Sequence, residues 1–134
     1  MNKKIKYILY KNYKETNGSL TPFYINRNFP IKIKRFFLIK GKKGQTRGKH
    51  AHKICNQLFV PVAGKVKLSI LSPKKKIIYL DSNKNLGLFV PKLHWCEITF
   101  KSNITALLVL CDYKYKKTEY ITNIEKFHSM FKKK

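Results

Sequence analysis

His50 and His52 stand one residue apart in the stretch "GQTRGKHAHKICNQLFVPVAG", residues 44–64. On an extended strand, residues i and i+2 point to the same side, so the two imidazoles would share one space. An imidazole titrates near ~6.5 and both takes and gives protons at neutral pH. Such a pair is suited to moving protons in a pocket, and it could also hold a metal. Gln57, five residues after His52, offers a neutral amide, a poorer metal ligand than a carboxylate. The pair is therefore expected to work without metal. Holding no metal, it is also expected to need no carboxylate, in a chain with only six acidic residues. The plainer alternative is two packed, hydrogen-bonded histidines with no chemistry. Arg47 and Lys53 flank the pair as cations, fit for a developing oxyanion or a diphosphate, or simply for a solvated turn.

The elements that must position these residues are short. Runs of β-branched and aromatic residues recur as "KYILY" (6–10), "LTPFYI" (20–25), "IKIKRFFLI" (31–39), "NQLFVPV" (56–62), "KVKLSIL" (65–71), "KIIYL" (76–80), "GLFVP" (87–91), "WCEITF" (95–100) and "ALLVLC" (106–111). Turn residues separate them, as in "ETNGS", "SPKKK" and "DSNKN". Short strands at regular spacing predict an all-β sandwich or barrel. Val66, Leu68 and Ile70 should face a core while Lys65, Lys67 and Ser69 face water. Only the tail "TNIEKFHSMF" reads as helix. Thr122 and Glu125 have capping-box spacing, and Ile124, Phe127 and Phe131 share one face. His128 there reads as an ordinary histidine.

The chain, residues 1–134, is the right size for a single domain. No apolar run approaches the ~20 residues of a membrane span, and the N-terminus lacks the pattern of a signal peptide. The expected location is the cytoplasm, with no membrane partner. Cys55, Cys96 and Cys111 are odd in number and lack C-x-x-C spacing, which reads as free thiols. The charge is extreme, 30 Lys plus Arg against 6 Asp plus Glu, formally +24. Such a field attracts phosphates. It does not by itself indicate nucleic acid, because the excess is nearly all lysine and runs along the whole chain. A small anionic substrate profits from the same field, and nucleic acid is not the expected partner.

The spacing Gly44, His50-Ala51-His52, Gln57, Gly64 resembles the first signature of the cupin superfamily, with Gln57 in place of the glutamate. The second signature is poorer: "GLFVPKLHWCE" carries Cys96 near the usual histidine position, with His94 two residues early. More specific are "RGKHAHK" (47–53), "FPIKIKRFF", "NLGLFVPKLHW" and "LLVLCDYKYKKTEYITNIEKF". Together they resemble the sugar-nucleotide 3,4-ketoisomerases, the WxcM-like or FdtA/QdtA family. The resemblance implies a cupin-type double-stranded β-helix, or jelly roll, with a short C-terminal helix and a homodimeric assembly. It implies an isomerase that moves the keto group of dTDP-4-keto-6-deoxy-D-glucose from C4 to C3 on the way to 3-amino-3,6-dideoxyhexoses of surface glycans. No metal or organic cofactor is implied.

Carried over residue by residue, the resemblance makes His52 the base and His50 its polarising or relaying partner. It makes Arg47, Lys53, Arg35, Gln57 and Trp95 candidates for substrate binding, Arg35 through the diphosphate. Trp95 could stack on the base or sugar, or be core. The family often has tyrosines where this chain has Phe36 and Phe37. A 3,5-epimerase is the enzymatic rival, disfavoured by the His-x-His pattern. The other class is a non-catalytic or metal-binding cupin that binds a nucleotide sugar or another anion.

Overall fold

Alternation of apolar and polar side chains organises the chain into twelve strands and one helix in the computed structural model, which describes residues 3–132. The strands are β1 (Lys6–Leu9), β2 (Tyr13–Glu15), β3 (Gly18–Leu20), β4 (Arg35–Gly41), β5 (Thr46–His52) and β6 (Gln57–Ala63). They continue as β7 (Lys65–Leu71), β8 (Lys75–Asp81), β9 (Leu86–Val90), β10 (Trp95–Phe100), β11 (Thr105–Cys111) and β12 (Tyr120–Ile121). Helix α1 spans Ile124–Ser129. Two five-stranded antiparallel sheets result, ordered β1-β9-β6-β11-β4 and β12-β5-β10-β7-β8, beside the small hairpin β2-β3. The protein is an all-β jelly roll with a short C-terminal helix.

The main core lies between the sheets. Phe59, Leu88, Leu107 and Val109 come from the first sheet; Val66, Leu68, Ile70, Ile98 and Phe100 come from the second. In β7 the expected alternation holds, with Val66, Leu68 and Ile70 buried. The outer face of the first sheet is covered by the N-terminal third, whose Ile8, Tyr10, Phe23, Phe29 and Ile33 pack on Leu58, Val60, Phe89 and Leu110. Helix α1 covers the outer face of the second sheet, where Phe127 packs with Ala51, Trp95 and Ile121. The cover is partial: the edge strand β4 keeps Phe36 and Leu38 exposed, and β8 keeps Tyr79 exposed.

Three local expectations are corrected. "LTPFYI" is not a strand: β3 ends at Leu20 and the chain runs irregularly to Arg35. Pro22 cannot donate to a ladder. The run 31–39 joins a sheet only from Arg35 onward, where β4 pairs with β11. The helix cap sits one residue later than expected: Asn123, not Thr122, accepts the Lys126 N–H at 3.0 Å. A short amide at the cap position satisfies the orphan donor directly. Among the described residues, no helix is long and apolar enough to cross a membrane.

Candidate active site

Strand β5 presents the histidines, and a bulge sets their company. Against β10, Cys96 pairs with His50 and Glu97 with Gly48, so Lys49 is the extra residue. Arg47 and His50 are three apart and would face opposite sides of a regular strand. The extra residue restores a common face, and both line the same cavity. Gly48 makes the bulge possible. Its φ is +93°, and a Cβ there would lie 2.8 Å from the Cys96 carbonyl oxygen.

The cavity has a volume of about 430 Å³ and opens between the sheets. Arg35, Arg47, His50, Gln57, Tyr115 and Tyr120 give it polar groups, while Phe37, Phe59 and Ile98 give it apolar walls. Cys96 adds a thiol that burial pushes up to about 12, so it lines the cavity as a neutral group.

The two imidazoles are held differently. His50 is half-buried, and its Nδ1 donates to the Gly48 carbonyl at 3.0 Å. The ring lines the cavity, and its Nε2 has no hydrogen-bond partner among the described residues. His52 is buried, and its Nδ1 donates to Glu119 at 2.8 Å. Its Nε2 is buried with no partner among the described residues. The rings meet edge to face with centroids 5.0 Å apart.

Glu119 was not foreseen; the expectation of a pair without a carboxylate is overturned. The side chain is buried and also accepts the backbone N–H groups of Ile54 at 3.0 Å and Cys55 at 2.7 Å. Burial would push its pKa up, but these donors and His52 outweigh it and hold the carboxyl below its ordinary value. Burial lowers both histidines; Glu119 works against it at His52, and the neighbouring His52 adds to it at His50. Both shifts favour the neutral imidazole, the form in which a base rests.

Tyr120 was also not foreseen. It lies across the ladder from His52, with its ring 4.4 Å from that imidazole and 5.0 Å from His50. Its hydroxyl accepts Nη2 of Arg35 at 2.9 Å. The Arg35 guanidinium lies over the rings of Phe37 at 5.0 Å and Tyr115 at 5.5 Å. Its Nε is buried and has no partner among the described residues. One linked cluster results: Glu119, His52, Tyr120, Arg35 and His50.

Of the residues singled out in the sequence, the structure brings His50, His52, Arg47, Arg35 and Gln57 together. Gln57 is buried and donates to the Cys111 sulfur at 3.5 Å. Two others stand apart. Lys53 is exposed and follows the end of β5, outside the cavity lining. Trp95 faces the opposite side of β10 from Cys96 and packs on Phe127, donating to Glu97 at 3.0 Å. Strand alternation gives Cys96 the inner face and Trp95 the outer. Among the described residues, no three His, Cys, Asp or Glu side chains form a group able to hold a metal ion.

Residues 2–132 match the family described as FdtA: WxcM-like, C-terminal. The chain belongs to this family. A TDP-4-oxo-6-deoxy-alpha-D-glucose-3,4-oxoisomerase of Aneurinibacillus thermoaerophilus is 35% identical to the FdtA-family chain over 125 residues, covering 91% of this chain and 88% of that one. Among solved structures, a histidine-to-asparagine variant of the 3,4-ketoisomerase QdtA from Thermoanaerobacterium thermosaccharolyticum, in complex with TDP-4-keto-6-deoxyglucose, superposes with a TM-score of 0.87. It is 30% identical, over 97% of this chain and 95% of that one. A 3,4-ketoisomerase from Helicobacter canadensis superposes with a TM-score of 0.86 at 30% identity, over 96% and 98%.

Proposed function

We infer that this FdtA-family chain is a 3,4-ketoisomerase that moves the carbonyl of TDP-4-keto-6-deoxyglucose from C4 to C3 by histidine-mediated proton transfer. The observation that carries the reading is His50 on the cavity wall beside His52, its Nδ1 pinned to Gly48. A ketone migrates in two proton transfers. A base takes the C3 hydrogen, and the C3–H electron pair becomes the C3=C4 bond as the carbonyl pair moves to O4. The O3 proton then passes to O4, the O3–H pair becomes the C3 carbonyl, and the C3=C4 pair takes a proton at C4.

We assign the carbon-centred transfers to Nε2 of His50, which exchanges the two roles expected from the sequence. His50 lines the cavity, whereas His52 lies behind it, tied to Glu119. When His50 takes the proton, the imidazolium stands beside the neutral His52, and the Glu119 charge behind favours it. Arg35 and Arg47, both on the cavity wall, are the cations available to the developing oxyanion and to the diphosphate.

The test is proton NMR of chelator-treated protein with TDP-4-keto-6-deoxyglucose in D2O. A 3-keto product carrying deuterium at C4 or C3 is expected; an unchanged spectrum from folded protein sinks the reading. The couplings add the stereochemistry. One base serving both carbons from one face returns hydrogen to C4 on the face it left at C3, which makes the C4 hydroxyl axial. A small H4–H5 coupling supports a single base, and a large one requires a second donor on the opposite face.

The reading extends to a homodimer in the cytoplasm that serves the synthesis of amino-dideoxy sugars for surface glycans. Phe36 and Leu38 support the dimer: they are exposed on the outer face of β4, an edge strand. Light scattering of the same sample should give the mass of two chains, and the mass of one chain would remove this extension.

A further inference from the structure

Resting on the isomerase reading, we propose that Asp112 is a positioning residue for the reaction: through Asn56 it fixes the loop that holds Glu119, and Glu119 in turn fixes the His52 imidazole. The chain has six acidic residues. Glu15 is exposed on β2, Asp81 lies 3.9 Å from Lys65, Glu97 accepts from Trp95, and Glu125 is exposed in the first turn of α1. Glu119 is bonded to His52. Asp112 is left, directly after β11, half-buried and in no ion pair among the described residues.

Both carboxylate oxygens serve one residue. Oδ1 accepts the Asn56 backbone N–H at 2.7 Å, and Oδ2 accepts from the Asn56 Nδ2 at 2.8 Å. Asn56 Oδ1 then faces Lys92, whose backbone N–H it accepts at 2.9 Å. Three segments meet at Asn56: the end of β11, the loop 53–56 and the turn 91–93. The loop and the turn both reach the histidine cluster. Ile54 and Cys55 give their N–H groups to Glu119, and the Leu93 N–H bonds the His52 carbonyl at 2.7 Å. Leu93 holds a φ of +62°, which a bulky side chain keeps only where its surroundings impose it.

Asp112 decides how Asn56 sits. An amide can turn its carbonyl or its NH2 toward Lys92; only the carbonyl accepts, and a carboxylate opposite Nδ2 fixes that choice. A loop that turned would take the Ile54 and Cys55 N–H groups away from Glu119. Burial pushes the Glu119 pKa up, and the Cys55 N–H leads the groups that outweigh it. A displaced Glu119 no longer orients His52. The Nδ1 of His52 is tied to Glu119, so Nε2, buried and without a partner among the described residues, is the one nitrogen the ring can offer the cluster. Its direction depends on that tie. Burial also lowers the His52 pKa, and the Asp112 charge is among those that oppose it.

Asp112→Asn tests this, because it brings an NH2 against the NH2 of Asn56. Turnover of TDP-4-keto-6-deoxyglucose should fall about tenfold, as a small misplacement at a distance can cause, with TDP affinity unchanged. The reciprocal exchange, Asn56→Asp with Asp112→Asn, restores every bond: the position-112 carbonyl accepts the backbone N–H, its NH2 donates to position 56, and the new carboxylate accepts from Lys92. This pair should recover turnover to within about threefold of the parent, and in the Glu119→Gln background Asp112→Asn should cost less than about twofold, since groups that act through one another do not add. A full additive loss overturns the proposal, as does a failure of the exchanged pair to recover. So does a lowered Tm with turnover intact in the folded variant, which marks Asp112 as merely structural. Should Asp112→Asn not fold, Asn56→Ala, which keeps its backbone N–H on Asp112, is judged by the same coupling to Glu119→Gln. An inactive parent refutes the isomerase reading alone. Solvent exchange of the His52 ring N–H, followed by NMR, should still be about tenfold faster in Asp112→Asn with the core amides unchanged, and equal rates overturn the proposal.

Discussion

Two cavities of the molecule differ in a way that composition hides. The first, about 430 Å³, holds the histidine pair; the second, about 750 Å³, is lined by Lys3, Lys4, Lys76, Lys92, His94 and Phe131. The second is larger and richer in the residue that dominates the sequence. Yet the first is flanked by buried polar side chains with assigned partners: Glu119 at 2% exposure, His52 at 4% and Gln57 at 6%. Burying a polar group costs stability unless its bonds are remade. Lysine heads in water cost almost nothing to keep. Pinned, buried polarity therefore marks the reactive region, and neither size nor charge does.

The sharpest break in that comparison is His50→Asn. It removes the proposed base and keeps a polar side chain of similar reach. Turnover should fall by about a thousandfold, while calorimetry shows TDP binding nearly unchanged. If this variant keeps more than a tenth of the turnover and His52→Asn is dead, the base is His52 and the assignment by cavity exposure is wrong.

Glu119→Gln should come next. The carboxylate accepts from His52, Ile54 and Cys55 at once; an amide must turn either its carbonyl or its NH2 toward donors that need an acceptor. Losing charged, buried hydrogen bonds costs about 2 kcal/mol, or several degrees in Tm. Turnover should fall roughly tenfold to a hundredfold as His52 loses its orientation. The pH dependence has a definite sign. The folded pKa of Glu119 lies below its ordinary value, so its stabilisation is fully present above the unfolded carboxyl range. It fades as pH falls through the folded value. The Tm gap between parent and variant should be widest near neutrality and should narrow below about pH 4. A constant gap would mean that the charge is not what matters.

The strands were legible because their alternation is local: β7 and β10 coincide with the runs read from the sequence, 65–71 and 95–100. The His-x-His pair was legible for the same reason. What escaped was the lysine-sized insertion that turns Arg47 inward, since a bulge is defined only against its partner strand. Glu119 and Tyr120 escaped because contacts across 67 residues and more bring them to His52. A cue did exist. In a chain with 6 acidic residues among 134, each carboxylate is a rarity, and Glu119 stands between lysines and tyrosines in "YKYKKTEYI". Trp95 misled for the converse reason: a single tryptophan draws attention, but its parity with Cys96 puts it beneath α1.

The smallest effect should come from the larger cavity. Replacing Lys76 and Lys92 together by alanine lowers the formal charge from +24 to +22 (24 − 2) and strips the second cavity of two cations. The Lys92 backbone N–H keeps its bond to Asn56 at 2.9 Å, so the turn beside His52 is undisturbed. At physiological ionic strength charges are screened over ~8 Å, and many other lysines maintain the field that draws in a diphosphate. The expected kcat/KM is within twofold of the parent, with any deficit disappearing as salt is raised. A loss above fivefold that persists in salt would place the second cavity on the substrate's path. It would then be wrong to separate the two regions by burial alone.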